Sequence, residues 1–310
     1  MTPTDTPTSL PCIAVGADAG GTKLALAFHD GQKTWYDQQP SVNLRTDTAD
    51  GFAARLTDTI HASLDKTEMS RDMTVCVGAA GAGTDTVAAA CRKALAEALD
   101  IPTNQIVVTS DARVALEAAF PAESGILIIA GTGSGCYGLD ENGRLLRAGG
   151  WGPGLEDPGS GSDLGRAAVK HLLARLESGS ADRFSTMIAE ALGLDQPTIP
   201  RVLDLYYGQG FHPASLAPAI LDGFEAGDPA ALELIGEQCD ALARQCARLI
   251  SSMDRTPLPR IAVTGGLAAR DSYIDALSSA LKRHYPSVSA ARIGRPPVDG
   301  ALSWALRLKN

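Results

Sequence analysis

One pattern occurs twice in this chain and constrains its fold more than any other feature: an apolar strand, a glycine turn and two further strands. The first copy spans residues 12–40 around "DAGGT", and the second spans residues 125–150 around "GTGSG". Short apolar runs joined by glycine-rich turns are typical of antiparallel strands. Two such meanders in one chain predict a duplicated fold.

Strands and helices alternate after the first meander. Phe52, Leu56, Ile60 and Leu64 recur every four residues and predict an amphipathic helix. Buried strands are predicted at 73–80 and 105–110, each followed by a helix, and a further strand, double glycine and helix follow from residue 260. This alternation predicts an α/β fold with parallel strands, ending in a C-terminal helix.

The length of 310 residues favours two lobes, because single cores seldom grow beyond about 250 to 300 residues. We predict a disordered tail over residues 1–11, an N-terminal lobe over 12–118 and a larger C-terminal lobe over 119–310. Residues 162–253 are predicted to be a helical segment of this second lobe.

Charge and composition exclude several classes of protein. The formal net charge is −9 and no run rich in Lys or Arg occurs, which argues against a nucleic-acid partner. The sequence has neither an 18-residue apolar stretch nor a signal-peptide pattern, so we expect no membrane association and a cytoplasmic location. Six scattered cysteines without a CxxC pair predict reduced core thiols.

Three glycine turns directly follow apolar strands, at 18–22, 131–135 and 264–266. Phosphates can approach a backbone only where side chains are small, and successive amides in such turns bind anions. Each turn alone favours an ordinary hairpin, and none matches a P-loop or a dinucleotide fingerprint. Together they predict a nucleotide site, with hydroxyls from Thr22, Thr132 and Ser134. Lys23, interpreted as a strand-edge lysine, is included among the cofactor-binding candidates.

Two aspartates lie at the ends of predicted strands. Asp18 lies beside the first glycine turn, where a carboxylate near phosphates is explained by a bridging Mg²⁺. Asp111 lies where a strand meets a helix, a position that by itself favours a helix N-cap but also suits a base that takes the proton from an acceptor hydroxyl, and the two roles are compatible.

The loop "GGWGPGLEDPGSGSDLG", residues 149–165, contains seven glycines and two prolines. Long loops in compact domains are usually functional, and Trp151 with Asp157 would suit a sugar, which offers an apolar face and hydroxyl groups. The alternative is a surface loop in which Asp157, Ser160 or Ser162 caps the next helix.

These motifs, in this order and spacing, resemble the BadF/BadG/BcrA/BcrD ATPase family and, within it, the N-acetylglucosamine and glucosamine kinases. The resemblance spans residues 13–305 and rests on "GADAGGTKLALAF", "PSVNL", "TSDARVAL", "IIAGTGSGCYG", "GGWGPGLEDPGSGSDLG" and "VTGGLA".

The resemblance implies two duplicated actin-like (ribonuclease H-like) lobes that close around ATP in an interlobe cleft, and a homodimer. It implies two phosphate motifs and an adenosine motif, here Asp18, Gly20, Gly21 and Thr22; Gly131, Thr132, Gly133 and Ser134; and Gly265 and Gly266. It further implies that Asp111 activates the 6-hydroxyl of an amino sugar, with Asn43, Gly150, Trp151 and Asp157 as sugar contacts.

Other functions and acceptors stay open at this point. Some relatives are ATPases that hold an iron–sulfur cluster and activate a dehydratase, and a sugar-sensing relative without catalysis is a third hypothesis. Glu156 and Pro158 stand where the kinases usually have Gly and Glu. The acceptor is therefore open among N-acetylglucosamine, glucosamine, a muramic acid derivative and a plain hexose.

Overall fold

The computed structural model describes residues 12–20, 23–42, 44, 46–64, 73–140, 142–152, 155–208, 210–253 and 260–309. The predicted tail 1–11 lies outside these ranges. The chain divides into two compact units, the first from residues 1–123 with 294–310 and the second from residues 124–293.

The strands and helices follow one another in an order that repeats. In chain order they are β1 (Ile13–Ala19), β2 (Lys23–His29), β3 (Thr34–Pro40), α1 (Ala49–Leu64), β4 (Met73–Ala79), α2 (Asp85–Leu99), β5 (Ile106–Ser110), α3 (Asp111–Ala119), β6 (Gly125–Ala130), β7 (Ser134–Leu139), β8 (Leu145–Ala148), α4 (Gly161–Ser178), α5 (Arg183–Ala191), α6 (Ile199–Tyr207), α7 (Ala217–Glu225), α8 (Pro229–Ser252), β9 (Ile261–Thr264), α9 (Asp271–His284), β10 (Ala290–Arg292) and α10 (Pro297–Arg307).

Each unit contains one five-stranded mixed sheet. The strand order is β3-β2-β1-β4-β5 in the first unit and β8-β7-β6-β9-β10 in the second. In both sheets the first three strands are antiparallel neighbours, and the last two run parallel to the first strand. The predicted duplication and the predicted α/β fold class are confirmed. The three-residue strand β10 was not predicted.

The helical segment between β8 and β9 accounts for the greater size of the second unit. Helices α4 to α8 occupy the place that α1 alone occupies between β3 and β4. Their apolar faces share one core with the second sheet, in which Leu172, Phe184, Ile220 and Leu242 are buried. The predicted helix-rich stretch 162–253 corresponds closely to this segment.

In the first unit, one face of the sheet is covered by α1 and α2. The predicted stripe of α1 is confirmed, because Phe52, Leu56, Ile60 and Leu64 are all buried. They pack with strand residues such as Val15 in one cluster. Burying four large apolar side chains accounts for the stability of this helix better than its local propensity does.

The C-terminal helix covers the opposite face of the first sheet. Val298, Ala301, Leu302 and Ala305 of α10 form a cluster with Ala14, Ala27 and Cys76 of the strands and Val114 of α3. The sequence prediction assigns residues 119–310 to the second lobe, but the structure places residues 294–310 in the first unit and begins the second at residue 124. An amphipathic pattern predicts a helix but does not indicate which sheet the helix covers.

Two glycines allow α10 to approach closely. A Cβ at Gly16 of β1 would lie 2.3 Å from the backbone nitrogen of Leu302, and a Cβ at Gly300 would lie 2.0 Å from the carbonyl oxygen of Val114. Both distances are far below van der Waals contact, so only glycine fits at these two positions.

Within the part of the chain that the structure describes, no helix is both long enough and apolar enough to cross a bilayer.

Candidate active site

The first unit brings Asp18 and Asp111 to one edge of its sheet. Asp18 pairs in register with Gly78 of β4, and the next residue of β4, Ala79, pairs with Ser110 of β5. Asp111 follows Ser110 directly and begins α3. Because β1, β4 and β5 are parallel, both aspartates lie at the carboxyl end of the strands, where open α/β sheets bind ligands.

The carboxyl group of Asp18 lies in an environment that disfavours its charge. Burial raises the pKa of Asp18, the negative charge of Asp111 raises it further and the charge of Lys23 partly lowers it, which gives a value of about 6 against an ordinary 3.8. A cation beside Asp18 would relieve this electrostatic cost. The residues present therefore fit a divalent ion.

Protein groups alone would not complete the coordination of such an ion. In the described ranges, no group of three or more His, Cys, Asp or Glu side chains could hold a metal. Mg²⁺ commonly takes one or two carboxylates and completes its shell with water and substrate phosphates. This donor set is what Asp18 and a nucleotide would offer.

Asp111 is held by its own helix. Its Oδ1 accepts a hydrogen bond from the backbone nitrogen of Ala112 at 2.9 Å. The N-cap is the preceding residue, Ser110, whose Oγ accepts from the backbone nitrogen of Arg113 at 3.2 Å. Within the described part of the chain, Oδ2 of Asp111 accepts no hydrogen bond, so Asp111 is fixed in place with one oxygen left for chemistry.

The first glycine turn is described in part. The backbone nitrogen of Gly20 donates to the carbonyl of Lys23 at 3.0 Å, and the hydroxyl of Ser41 donates to the carbonyl of Gly20 at 2.8 Å. Lys23 is exposed at the start of β2, as predicted for a strand-edge lysine. Gly21, Thr22 and Asn43 lie outside the described residues.

The second turn joins β6 to β7 and is fixed by the start of α4. The carbonyls of Gly131 and Thr132 accept hydrogen bonds from the backbone nitrogens of Gly161, at 2.8 Å, and Ser162, at 3.1 Å. Among the described residues, the backbone nitrogens of Thr132 and Gly133 have no partner, and Thr132 is exposed. These two amides are available to an anion.

The third turn lies against the second. Gly265 has φ +106°, and a Cβ there would lie 2.3 Å from the carbonyl oxygen of Ala130. A Cβ on Gly131 would be 3.7 Å from the nitrogen of Gly266. The second unit therefore brings together Gly131, Thr132, Gly133, Gly265 and Gly266, as the nucleotide-site prediction requires.

A cavity of about 320 Å³ adjoins these two turns. Ala217, Pro218 and Leu221 of α7 form part of its wall. The lining residues are Gly131, Thr132, Gly161, Ala214, Ala217, Pro218, Leu221, Gly266, Leu267, Ala269 and Arg270. Its size and apolar lining are those of a small-ligand pocket.

Among the described residues that line this cavity, Arg270 is the one that carries a charge, and it was not predicted from the sequence. Its Nη1 donates to Oε2 of Glu225 at 2.7 Å and its Nη2 donates to Asp222, so both guanidinium branches are held by α7. These partners precede Arg270 by 45 and 48 residues. No local pattern in the sequence indicates such a pairing.

The loop that begins at Gly149 is folded back on itself. Gly149 and Gly150 have φ of +66° and +72°, and the nitrogen of Gly150 donates to the carbonyl of Glu156 at 3.1 Å. The side chain of Glu156 pairs with Arg248 of α8. Trp151 is 59% exposed. Of the sugar contacts predicted in this loop, Gly150 and Trp151 are accessible.

Asp157 is more enclosed than the prediction of a sugar contact implies. It is 4% exposed, its Oδ1 accepts from Arg166 at 2.8 Å and its Oδ2 accepts from the hydroxyl of Ser160 at 3.1 Å. Burial raises the pKa of Asp157 above its ordinary value, against the opposing hydrogen bond and charge of Arg166. Ser160 is the N-cap of α4, one of the capping roles that the alternative interpretation of this loop proposed.

Ser134 has a partner inside the same loop. It is buried, and its hydroxyl donates to the carbonyl oxygen of Pro158 at 2.6 Å. This hydroxyl was predicted to face a phosphate, and in this structure it joins the second glycine turn to the loop.

Most of the cysteines are buried, as the sequence predicts. No disulfide joins any of the six, of which Cys76, Cys91, Cys136, Cys239 and Cys246 are buried. Burial raises the pKa of the Cys76 and Cys239 thiols. An iron–sulfur cluster shared between subunits needs exposed thiolates, so this distribution does not favour the dehydratase-activator hypothesis.

Two known kinases are similar in sequence to this chain over nearly its whole length. The N-acetylmuramic acid/N-acetylglucosamine kinase of Clostridium acetobutylicum is 26% identical over 300 residues, which cover 93% of this chain and 96% of that protein. The N-acetyl-D-glucosamine kinase of Dictyostelium discoideum is 26% identical over 316 residues, covering 96% and 99%.

Solved structures show the same fold. A proposed N-acetylglucosamine kinase from Chromobacterium violaceum superposes with a TM-score of 0.71 at 20% identity, over 95% of this chain and 99% of that one. The model of one ATPase family matches residues 15–306, nearly the whole chain. Given that match, the two repeated sheets and the three glycine turns, this chain belongs to the BadF/BadG/BcrA/BcrD ATPase family.

Proposed function

We propose that the protein is an ATP-dependent kinase that transfers the γ-phosphoryl group to the 6-hydroxyl of an amino sugar, N-acetylglucosamine or glucosamine. The observation that carries this proposal is Asp111, which is fixed through Oδ1 at the carboxyl edge of the first sheet and has Oδ2 available. Its family membership and the names of its two relatives support the same activity.

Asp111 acts as the base in this mechanism. The hydrogen bond from the nitrogen of Ala112 orients the carboxylate, and the free oxygen takes the proton from the attacking sugar hydroxyl. Asp18 would hold Mg²⁺, which supplies charge neutralisation at the terminal phosphates. The pKa of Asp18, raised by burial and by Asp111, is consistent with a site that requires a cation.

The glycine turns would bind the nucleotide. The available nitrogens of Thr132 and Gly133 would donate to phosphate oxygens, with Gly20, Gly21, Thr22 and Lys23 contributing from the first unit. The cavity beside Gly265 and Gly266 would take the adenosine. Ser134 would contribute to nucleotide binding indirectly. Its hydroxyl donates to the Pro158 carbonyl and so holds the second glycine turn against the loop.

The acceptor sugar would contact Asn43, Gly150 and Trp151. An exposed indole offers an apolar face to a pyranose ring. Asp157 would also contact the sugar, and its hydrogen bonds with Arg166 and Ser160 would fix the conformation of the loop. The names of the two relatives favour an N-acetylated acceptor. We also expect a homodimer, which sedimentation of the purified protein would test.

An ADP-release assay with ATP and Mg²⁺ tests this function. The acceptor panel consists of N-acetylglucosamine, glucosamine, N-acetylmuramic acid and glucose, and mass spectrometry of the product identifies the phosphorylated position. We expect sugar-dependent ADP release with an amino sugar and a 6-phosphate product. ADP release that does not depend on any sugar would overturn the proposal.

Asp111→Asn tests the base. The amide oxygen can still accept from Ala112, so the variant should fold and bind ATP while turnover falls by about a hundredfold or more. Asp85→Asn is a matched control, because Asp85 is also the first residue of a helix after its N-cap, and it is exposed. Near-normal turnover in Asp111→Asn would exclude Asp111 as the base.

A further inference from the structure

Arg147, in β8, holds the two residues that follow the strand. Its Nε donates to the carbonyl of Gly149 at 2.8 Å, and its Nη2 donates to the carbonyl of Gly150. Its guanidinium carbon lies 4.2 Å from the ring centroid of Trp151 and 5.6 Å from that of Tyr137. One planar group therefore supports both the backbone and the indole of this segment.

The same segment is fixed from its other side by Gln245 of α8. Gln245 is buried, and its Nε2 donates to the carbonyl of Ala148 at 2.9 Å. A Cβ on Gly149 would lie 2.1 Å from that Nε2. Gly149 and Gly150 both have positive φ, so the chain turns in a conformation that few other residues could adopt.

The indole of Trp151 is thus exposed on a rigid support. Tryptophans are highly buried on average, but Trp151 is 59% exposed. Because the guanidinium of Arg147 lies over the ring, the remaining ring surface is presented to solvent in one orientation. An aromatic group held in its binding orientation before the ligand arrives avoids the entropic cost of ordering it.

The hydrogen bonds of Arg147 go to backbone carbonyls rather than to a carboxylate. Across the described ranges no carboxylate pairs with it, whereas Glu156 pairs with Arg248, and Asp157 pairs with Arg166. This set of contacts indicates that the planar shape and donor geometry of Arg147 matter more than its charge.

We propose that Arg147 is a positioning residue for the acceptor sugar that acts through Trp151: it supports the indole, and its hydrogen bonds to the carbonyls of Gly149 and Gly150 fix the backbone that leads into Trp151. The inference rests on the proposed function, in which Gly150 and Trp151 contact the sugar. Lysine cannot replace arginine in this role, because an ammonium group neither stacks as a plane nor donates to two carbonyls in a fixed fork.

The test compares Arg147→Lys and Arg147→Met with wild type in steady-state kinetics. We expect KM for the sugar to rise by about tenfold or more in both variants, with KM for ATP and kcat within about twofold. Arg144→Lys, at an exposed arginine just before the same strand, is the control and should change neither KM. Melting temperatures establish that each variant is folded.

A double-mutant cycle with Trp151→Ala separates positioning from a merely structural role. If Arg147 acts through Trp151, then Arg147→Lys should add little to the sugar KM of the Trp151→Ala protein. Additive effects, an unchanged sugar KM in Arg147→Lys, or equal losses toward ATP and sugar would overturn the inference while leaving the kinase proposal in place. If wild type phosphorylates no sugar, the proposed function fails and this inference fails with it.

Discussion

The hydroxyl of Ser134 donates to the carbonyl oxygen of Pro158 at 2.6 Å, and this bond joins the second glycine turn to the loop that carries Trp151. Ser134 is buried, so water does not readily replace the bond. We expect Ser134→Ala to lower the free energy of unfolding by about 1 to 2 kcal/mol, because the Pro158 carbonyl loses its partner. Urea unfolding measures this change. The neighbouring Thr132→Ala, at an exposed hydroxyl, should change stability by less than about 0.5 kcal/mol, and equal effects at both positions would contradict the assignment.

Arg270 provides a prediction about the nucleotide. Its guanidinium is held by Asp222 and Glu225 at the cavity beside the glycine turns, where it can stack on a purine base. Arg270→Ala should raise KM for ATP by about 3- to 30-fold and leave KM for the sugar nearly unchanged. Arg283→Ala, which removes an exposed arginine paired with Asp240, is the control. If only KM for the sugar rises, the cavity does not hold the purine base of ATP.

Gly300 and Gly236 provide a matched pair of helical glycines. A methyl group at Gly300 would meet the carbonyl of Val114 at 2.0 Å, so Gly300→Ala should destabilise the protein by about 1 to 3 kcal/mol. Gly236, in α8, has no described atom within 4 Å of its added Cβ, so Gly236→Ala should stabilise by about 0.5 to 1 kcal/mol through helix propensity. Urea unfolding compares the two. Stabilisation by both substitutions would mean that α10 does not pack on α3 as described.

Asp182 is expected to give stability that depends on pH. Burial opposes its ionisation, but hydrogen bonds from the backbone and hydroxyl of Ser185 and from His171 outweigh this effect and lower the pKa of Asp182 to about 2. Arg175 also pairs with it. Because the folded-state pKa is depressed, the stabilisation is complete above the unfolded value and is lost as the pH falls from about 4 to about 2.

Asp182→Asn isolates this contribution, since asparagine can still cap α5. The group is partly exposed, so we expect wild type to exceed the variant by less than about 1 kcal/mol near pH 6 and the difference to shrink toward pH 2. Urea midpoints across this range provide the measurement. A stability difference that grows as the pH falls would mean that the folded-state pKa of Asp182 is not depressed.

Much of the fold follows from local patterns in the sequence. The period of Phe52, Leu56, Ile60 and Leu64 identifies α1, and the repeated strand–glycine–strand pattern identifies both sheets. Strand β10 escapes detection because three residues, Ala290–Arg292, carry no apolar alternation. The position of α10 cannot be predicted from local patterns, because it depends on two close approaches, at Gly16 and Gly300, to residues distant in sequence.

The candidate site is predictable to a similar degree. Asp18, Asp111 and the glycines of the second and third turns lie where strands end, and local pattern with family resemblance identifies them. Three hydrogen bonds at the site depend on tertiary contacts that no local pattern reveals: Arg166 to Asp157, Ser134 to Pro158 and Arg270 to α7. A motif indicates which residues are present, but it does not indicate which of their polar atoms already form hydrogen bonds within the protein.

The return of α10 to the first sheet has a consequence for biosynthesis. Translation delivers β1 to β5 early, but the sheet face with Ala14, Ala27 and Cys76 depends on apolar residues from 298 to 305 for its cover. The first unit therefore cannot complete its core until residues 298–305 have been made. During synthesis that face is exposed to chaperones and to aggregation, while the second unit has all its described strands and core helices before residue 294.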